Sequence, residues 1–170
     1  MSIIVTNSIN GSAIFDESRQ YRYHLTRSRI ATRHRSQKKL IFIMLNPSSA
    51  DAEHDDPTLK ACTQFAQGWG YSQLHIVNLF AYRTAQPAAL TQISDPIGPE
   101  NDHYLIHTAT VADRIILAWG NWGLWLNRAQ TVINLLGPYR HKLYYLKRNK
   151  TQQPCHPLYI RRTTQPQPWH

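Results

Sequence analysis

Short polar side chains crowd segment 46–56, which follows the apolar run 40–45 and precedes a proline at position 57. Amides, hydroxyls and carboxylates at this density can orient water, read hydrogen-bond donors and acceptors, or act as general bases. The segment carries four of the ten acidic residues of a chain whose net charge is +9. This concentration makes the segment the first candidate site, with Asn46, Pro47, Ser48, Ser49, Asp51, Asp55 and Asp56 as its members.

The residue types in this segment allow more than one role. Asn46 precedes a proline, which biases its backbone to an extended form and fixes the direction of its amide; the same pair also forms ordinary turns. Asp51 and Asp55 could supply a general base or hold a hard cation. Asp56 fits the N-cap of a helix that begins at Pro57, so it is explained without catalysis.

Two more polar residues follow apolar runs. Asn78 lies near the end of the run 73–80, where the strand meets its loop. It could make two hydrogen bonds to the edge of a nucleobase, or form a turn. His156 lies between Cys155 and Pro157 and could stabilise an anion or bind phosphate, or be an ordinary surface histidine.

The elements that must position these residues alternate along the chain. Apolar runs predict strands at 40–45, 73–80, 113–120 and 142–146, and helical spacing predicts helices at 57–67, 100–112 and 124–136. This order predicts an α/β fold of three layers, α/β/α, around a mostly parallel four-stranded central sheet. The carboxyl ends of its strands would bring Asn46, Asn78, Gly120 and His156 to one edge, where such sheets bind ligands.

The N-terminal residues 1–29 predict a β-hairpin around the turn pair Asn10-Gly11, with an edge strand at 21–27. The basic segment 27–39 is either a solvated connection or a phosphate-binding arm. We expect one domain over 1–162, with its core at 40–162, and a loose tail at 163–170.

The composition restricts the class of protein. Lys and Arg number 19 against 10 Asp and Glu, which favours nucleic acid or a nucleotide as partner. The apolar runs are too short for a membrane helix and the first residues lack signal-peptide order, so we expect a cytoplasmic protein without a membrane partner. The two cysteines lack metal-ligand spacing and no cofactor motif is present, so we expect neither metal nor cofactor.

Four segments of the sequence resemble the DUF1643 family of bacterial and phage proteins. They are MLNPSSADAEHDDPT at 44–58, FAQGWGYSQLHIVNLFAYR at 65–83, AWG at 118–120 and HPLY at 156–159. The order of elements and motifs within all four of these segments also resemble, more faintly, the uracil-DNA glycosylase superfamily. Met44 stands where that superfamily has a glycine, and Leu158-Tyr159 only loosely matches the residues after its His-Pro motif.

The glycosylase resemblance implies hydrolysis of an N-glycosidic bond. Asn46 would position water with help from Asp51 or Asp55, Asn78 would hold the base edge, and His156 would stabilise the departing base. It also implies that Phe80, Tyr82 or Trp119 stacks on the base, with Pro47, Ser48, Ser49 and Arg83 among the substrate-binding residues. Two alternatives stay open: a non-catalytic module that binds nucleic acid or a nucleotide in the same pocket, and an enzyme acting on free nucleotides.

Overall fold

An eight-stranded mixed sheet runs through the molecule, with strand order β1-β2-β3-β5-β4-β6-β7-β8. The computed structural model describes residues 2–32 and 37–170. The strands are β1 Ile3–Asn7, β2 Gly11–Asp16, β3 Arg22–Arg27, β4 Lys39–Met44, β5 Gln73–Asn78, β6 Arg114–Leu117, β7 Leu143–Tyr145 and β8 Gln167–Pro168. The helices are α1 Pro57–Gly68, α2 Asn101–Val111 and α3 Arg128–Leu135. Short 3-10 helices complete the connections.

The α/β class predicted from the sequence is confirmed, but the sheet is larger than the four strands expected. Strands β5, β4, β6 and β7 are parallel neighbours, whereas β1, β2 and β3 join them as antiparallel strands of the same sheet. The N-terminal hairpin is therefore an extension of the sheet. β3 pairs with β2 on one side and β5 on the other, so the prediction of an edge strand at 21–27 is wrong.

Strand β4 shows how the two faces of the sheet are covered. Phe42 packs in the core cluster that contains Phe65 of α1, and Ile43 packs in the cluster that contains Leu105 of α2 and Val132 of α3. Successive side chains of a strand point to opposite faces, so a continuously apolar strand needs a cover on both. Helix α1 covers one face of the sheet, and α2 and α3 cover the other.

Local signals fix the start of α1, which borders the site. The side chain of Asp56 accepts a hydrogen bond from the backbone N–H of Leu59 at 2.7 Å, and Pro57 occupies the first turn. The predicted cap is confirmed. The helix predicted at 124–136 begins later, because Trp125 is extended and Leu126 and Asn127 are left-handed, each with φ of 53°.

The C-terminal residues also differ from the expected loose tail. β8 pairs with β7, and the ring of Trp169 lies 5.7 Å from that of Tyr145. The indole adds apolar contact that ties the chain end to the sheet. Arg33 and Arg35 of the basic segment lie outside the described residues. Within residues 2–32 and 37–170, no helix has the length and apolar character needed to cross a bilayer.

Candidate ligand-binding site

A cavity of about 320 Å³ opens at the carboxyl ends of β4 and β5; we call it the central cavity. Its volume falls at the lower end of the range, about 300–1,000 Å³, that small-molecule sites occupy. Three of the four residues predicted to meet at this edge, Asn46, Asn78 and His156, line it, together with Ser48. Other walls come from β3, the first turn of α1 and segment 156–159, and include Arg22, Asp56, Thr58, Leu158 and Tyr159.

Asn78 is the most unusual residue of the cavity. Its side chain is 1% exposed, and neither its amide nitrogen nor its amide oxygen has a hydrogen-bond partner among the described residues. Only its backbone is engaged, through a hydrogen bond from Asn101 Nδ2 to the Asn78 carbonyl oxygen at 3.0 Å. Buried amides in native proteins are normally paired, so this side chain offers donors and an acceptor to a ligand.

Arg22 brings a positive charge to the same cavity. It is 3% exposed, donates from Nη1 to the carbonyl oxygen of Ala50, and has an Nε with no partner among the described residues. Burial lowers the pKa of Arg22 to about 10, while the charge of Asp56 acts in the opposite direction. The guanidinium therefore stays protonated at neutral pH and favours an anionic or carbonyl oxygen as partner.

Asn46 is held in one orientation by its amide nitrogen. Nδ2 donates to the carbonyl oxygens of Pro47, at 3.0 Å, and of Thr84, at 2.7 Å. Because both partners are acceptors, the hydrogen-bond network assigns the nitrogen to this side. Within residues 2–32 and 37–170 the acceptor oxygen Oδ1 has no hydrogen-bond partner, so it can accept from a water molecule.

His156 is set to act as a neutral hydrogen-bond donor. Its Nδ1 accepts a hydrogen bond from the backbone N–H of Leu158 at 3.3 Å, so a neutral ring carries its proton on Nε2. Burial lowers the pKa of His156, against an opposing effect of Asp56, and this favours the neutral form. Tyr159, 83% exposed, places its ring centroid 5.8 Å from that of His156 at the cavity wall.

Asp51 and Asp55 do not line the central cavity. Asp55 Oδ1 accepts from Nε and Nη2 of Arg27 at 2.9 and 2.6 Å, an ion pair whose arginine side chain is 7% exposed. Asp51 accepts from the backbone N–H groups of Glu53 and His54. Partial burial raises the pKa of Asp51, but these hydrogen bonds outweigh it and leave the pKa below its ordinary value. Both carboxylates hold the loop in shape, and their catalytic role stays a prediction.

The residues predicted to stack on a base lie in different surroundings. Phe80 is fully buried against Trp125, with ring centroids 5.2 Å apart. Trp119 is 2% exposed and donates from Nε1 to Gln153. Tyr82 instead lines a neighbouring open cavity of about 410 Å³, which we call the outer cleft. Its walls are formed by Arg19, Gln20, Ser48, Ser49, Tyr82, Arg83, Thr84 and Ala85.

Comparison with known proteins identifies the family. The family model described as "Protein of unknown function (DUF1643)" matches residues 22–158. The chain belongs to the DUF1643 family. No curated protein and no solved structure matches the chain, so the fainter resemblance to the glycosylase superfamily gains no support.

The part of the chain that matches the DUF1643 model contains Arg22, Asn46, Asn78 and His156, whereas Tyr159 and Arg19 lie outside it. The sequence does not place Arg22 at the site, because the alternating pattern of 21–27 predicts an edge strand. The signal was an arginine between two tyrosines, at positions 21–23. Among the described residues, no group of three or more His, Cys, Asp or Glu side chains is placed to hold a metal ion.

Proposed function

We propose that this DUF1643 protein binds a nucleobase in the central cavity, as part of a nucleotide or of an unpaired stretch of nucleic acid. The observation that carries the proposal is the buried, unpartnered amide of Asn78. A side-chain amide matches a base edge that presents one donor beside one acceptor. A base stacked in a duplex could not reach a cavity of this kind, so the nucleic-acid form of the ligand must be single-stranded or flipped out.

The reaction that these residues favour is hydrolysis of the N-glycosidic bond. Asn46 Oδ1 would accept from a water molecule and aim its oxygen at the sugar C1′. As the C1′–N bond breaks, its electron pair stays on the base, and water supplies the new C1′–O bond and, through solvent, the proton that the base takes up. The products are the free base and the sugar with a 1′-hydroxyl, and no oxidant or cofactor takes part.

Two groups would stabilise the negative charge that develops on the base. The neutral His156 ring would donate from Nε2, and the buried Arg22 guanidinium would add a fixed positive charge. Donors aimed at a developing charge are the largest single contribution in many enzymes. Asp56 is the carboxylate that lines the central cavity, and it would favour the cationic sugar of the transition state.

A second candidate is a module that binds the base without cleaving it. It is favoured by the positions of Asp51 and Asp55, which are engaged outside the central cavity, and by the capping role of Asp56. In each of the three residues, a carboxylate oxygen already serves a contact that holds the loop or the start of α1.

The test uses labelled single-stranded oligonucleotides that carry uracil or other altered bases, at two salt concentrations. The variants are Asn46→Ala, Asn78→Ala and, as control, Asn134→Ala, which removes an exposed amide of α3. Base release by the wild type and the control but not by Asn46→Ala would support hydrolysis. Binding that Asn78→Ala abolishes, without release by any form, would support the binding module. Absence of binding to oligonucleotides and to free nucleosides would overturn both.

A further inference from the structure

The outer cleft adjoins the central cavity and has a different chemical character. The two share Ser48, Thr84 and Ala85 as wall residues, so a ligand can extend from one into the other. The lining of the outer cleft contains two arginines, three hydroxyl-bearing Ser and Thr residues and no carboxylate.

The two arginines are held on one aromatic ring. The guanidinium carbons of Arg83 and Arg19 lie 5.0 and 5.6 Å from the ring centroid of Phe15, which is 2% exposed. Arg83 Nη1 also donates to the backbone carbonyl of Arg19 at 3.1 Å. The cation–π contacts favour keeping both charges at this place, although like charges repel.

Neither arginine has a counter-ion in its described surroundings. Within residues 2–32 and 37–170 neither forms a salt bridge, and the buried Nε of Arg83 has no hydrogen-bond partner. Both arginines also border a separate cavity of about 270 Å³, which Asp51 and Glu53 line. The outer cleft, on the other side of the arginines, has no carboxylate in its lining. Arg19 keeps a left-handed backbone, φ 58°, in the turn before β3, a conformation that favours glycine.

We infer that the outer cleft is a phosphate-binding subsite, in which Arg83 and Arg19 hold a phosphate group with help from the Ser48 and Ser49 hydroxyls. Guanidinium groups bind phosphate oxygens through paired, charge-assisted hydrogen bonds, and serine hydroxyls add neutral ones. The inference rests on the proposed function for the identity of the whole ligand: a base in the central cavity and its phosphate in the outer cleft. The phosphate is either the monoester of a nucleotide or a diester of a single strand.

The first experiment needs no base. Inorganic phosphate and methyl phosphate are titrated at constant ionic strength, with binding followed by calorimetry and by ³¹P line broadening. We expect Arg83→Gln and Arg19→Gln to weaken phosphate binding at least tenfold. Arg83→Lys should weaken phosphate binding less, because lysine keeps the charge but lacks the planar pair of donors that binds two phosphate oxygens at once. The control Arg140→Gln, which removes an exposed charge outside both cavities, should bind like the wild type.

Unchanged phosphate binding in both glutamine variants would overturn the subsite, as would an equal loss in the control. Arg83→Gln removes a contact with buried Phe15, so each variant is compared only after its thermal unfolding has been recorded. If Arg83→Gln does not fold, Arg19→Gln decides alone, since Arg19 is exposed.

A second set of titrations separates this inference from the proposed function. Nucleosides are compared with their 5′-monophosphates and with dinucleotides, using wild type, Asn78→Ala and Arg83→Gln. Nucleoside binding that gains nothing from the phosphate would overturn the subsite and leave the base pocket standing. Phosphate binding through the arginines without any nucleoside binding would support the subsite and overturn the base pocket. A steeper salt dependence for the dinucleotide than for the monophosphate would identify a strand as the source of the phosphate.

Discussion

Replacement of Asn78 by leucine should make the unliganded protein more stable while it abolishes ligand binding. The amide is 1% exposed with both polar atoms unpartnered among the described residues, and a buried polar group in that state costs about 1–3 kcal/mol. Leucine has a similar shape and removes this cost. The adjoining central cavity leaves room for its methyl groups.

We expect the Asn78→Leu substitution to raise the free energy of unfolding by about 2 kcal/mol. For a chain of this length the midpoint of thermal unfolding should rise by about 4–8 °C. The assay is thermal and urea unfolding of wild type and variant without ligand, followed by titration with nucleosides.

Asn101 offers the matched control. It is fully buried; its Nδ2 donates to the carbonyl oxygens of Asn78 and Leu79 at 3.0 and 2.9 Å, whereas its Oδ1 has no partner among the described residues. The Asn101→Leu substitution breaks both hydrogen bonds and should lower the free energy of unfolding by about 1–3 kcal/mol. If Asn78→Leu destabilises the protein as much as Asn101→Leu does, Asn78 is a structural residue and the argument for a base-reading amide fails.

Three further predictions concern parts of the fold around the site. Burial lowers the pKa of His24 to about 3 and that of His75 to about 4, so the folded protein keeps both rings neutral. The unfolded chain takes up these protons below about pH 6.5, so stability should be complete above that pH and fall by roughly 2–4 kcal/mol down to pH 5. Urea midpoints across this range should show it, with a shallower fall in His75→Gln. Asp55→Asn should weaken the ion pair with Arg27 and lower the free energy of unfolding by about 1–3 kcal/mol. Nucleoside affinity should not change, because the pair lies outside the central cavity, and a loss of affinity in the folded variant would make Asp55 a site residue again. Gly11→Ala would bring a methyl carbon to 2.0 Å from a backbone carbonyl oxygen of β3, so it should lower the midpoint of thermal unfolding. A midpoint at or above that of the wild type would contradict this packing.

The parts of the fold that the sequence predicts well are those fixed by local signals. The run 40–45 is apolar at every position because β4 is covered on both faces, and Asp56 with Pro57 marks the start of α1. The position of the site follows from a general rule for parallel sheets, which brings Asn46 and Asn78 to one edge.

The parts that escaped prediction depend on contacts between distant segments. β3 alternates polar and aromatic residues as an exposed strand would, yet it pairs with β5, some fifty positions away in sequence, where Leu25 faces Ile76. Arg22, at the start of the same strand, is buried and lines the central cavity. Phe80 and Trp119 end apolar runs near the site, but their side chains fill the core. Periodicity alone does not distinguish a ring that lines a pocket from one that packs beneath it.

The central cavity is the place where this sequence departs most from what folding alone would favour. Among the described residues, the buried Arg22 guanidinium has an unpaired Nε and the buried Asn78 amide has no partner, and both lower the stability of the unliganded chain. They come from β3 and β5, and both border the same space. A ligand that pairs with these groups would regain what their burial costs, and its affinity would draw on that gain. Because the groups are a cation and a donor–acceptor amide, the ligand that regains most carries an anionic or carbonyl oxygen beside a hydrogen-bond donor. A nucleobase edge has this arrangement, which is why the central cavity, and not the net charge of the chain, is the stronger reason to look for a nucleotide.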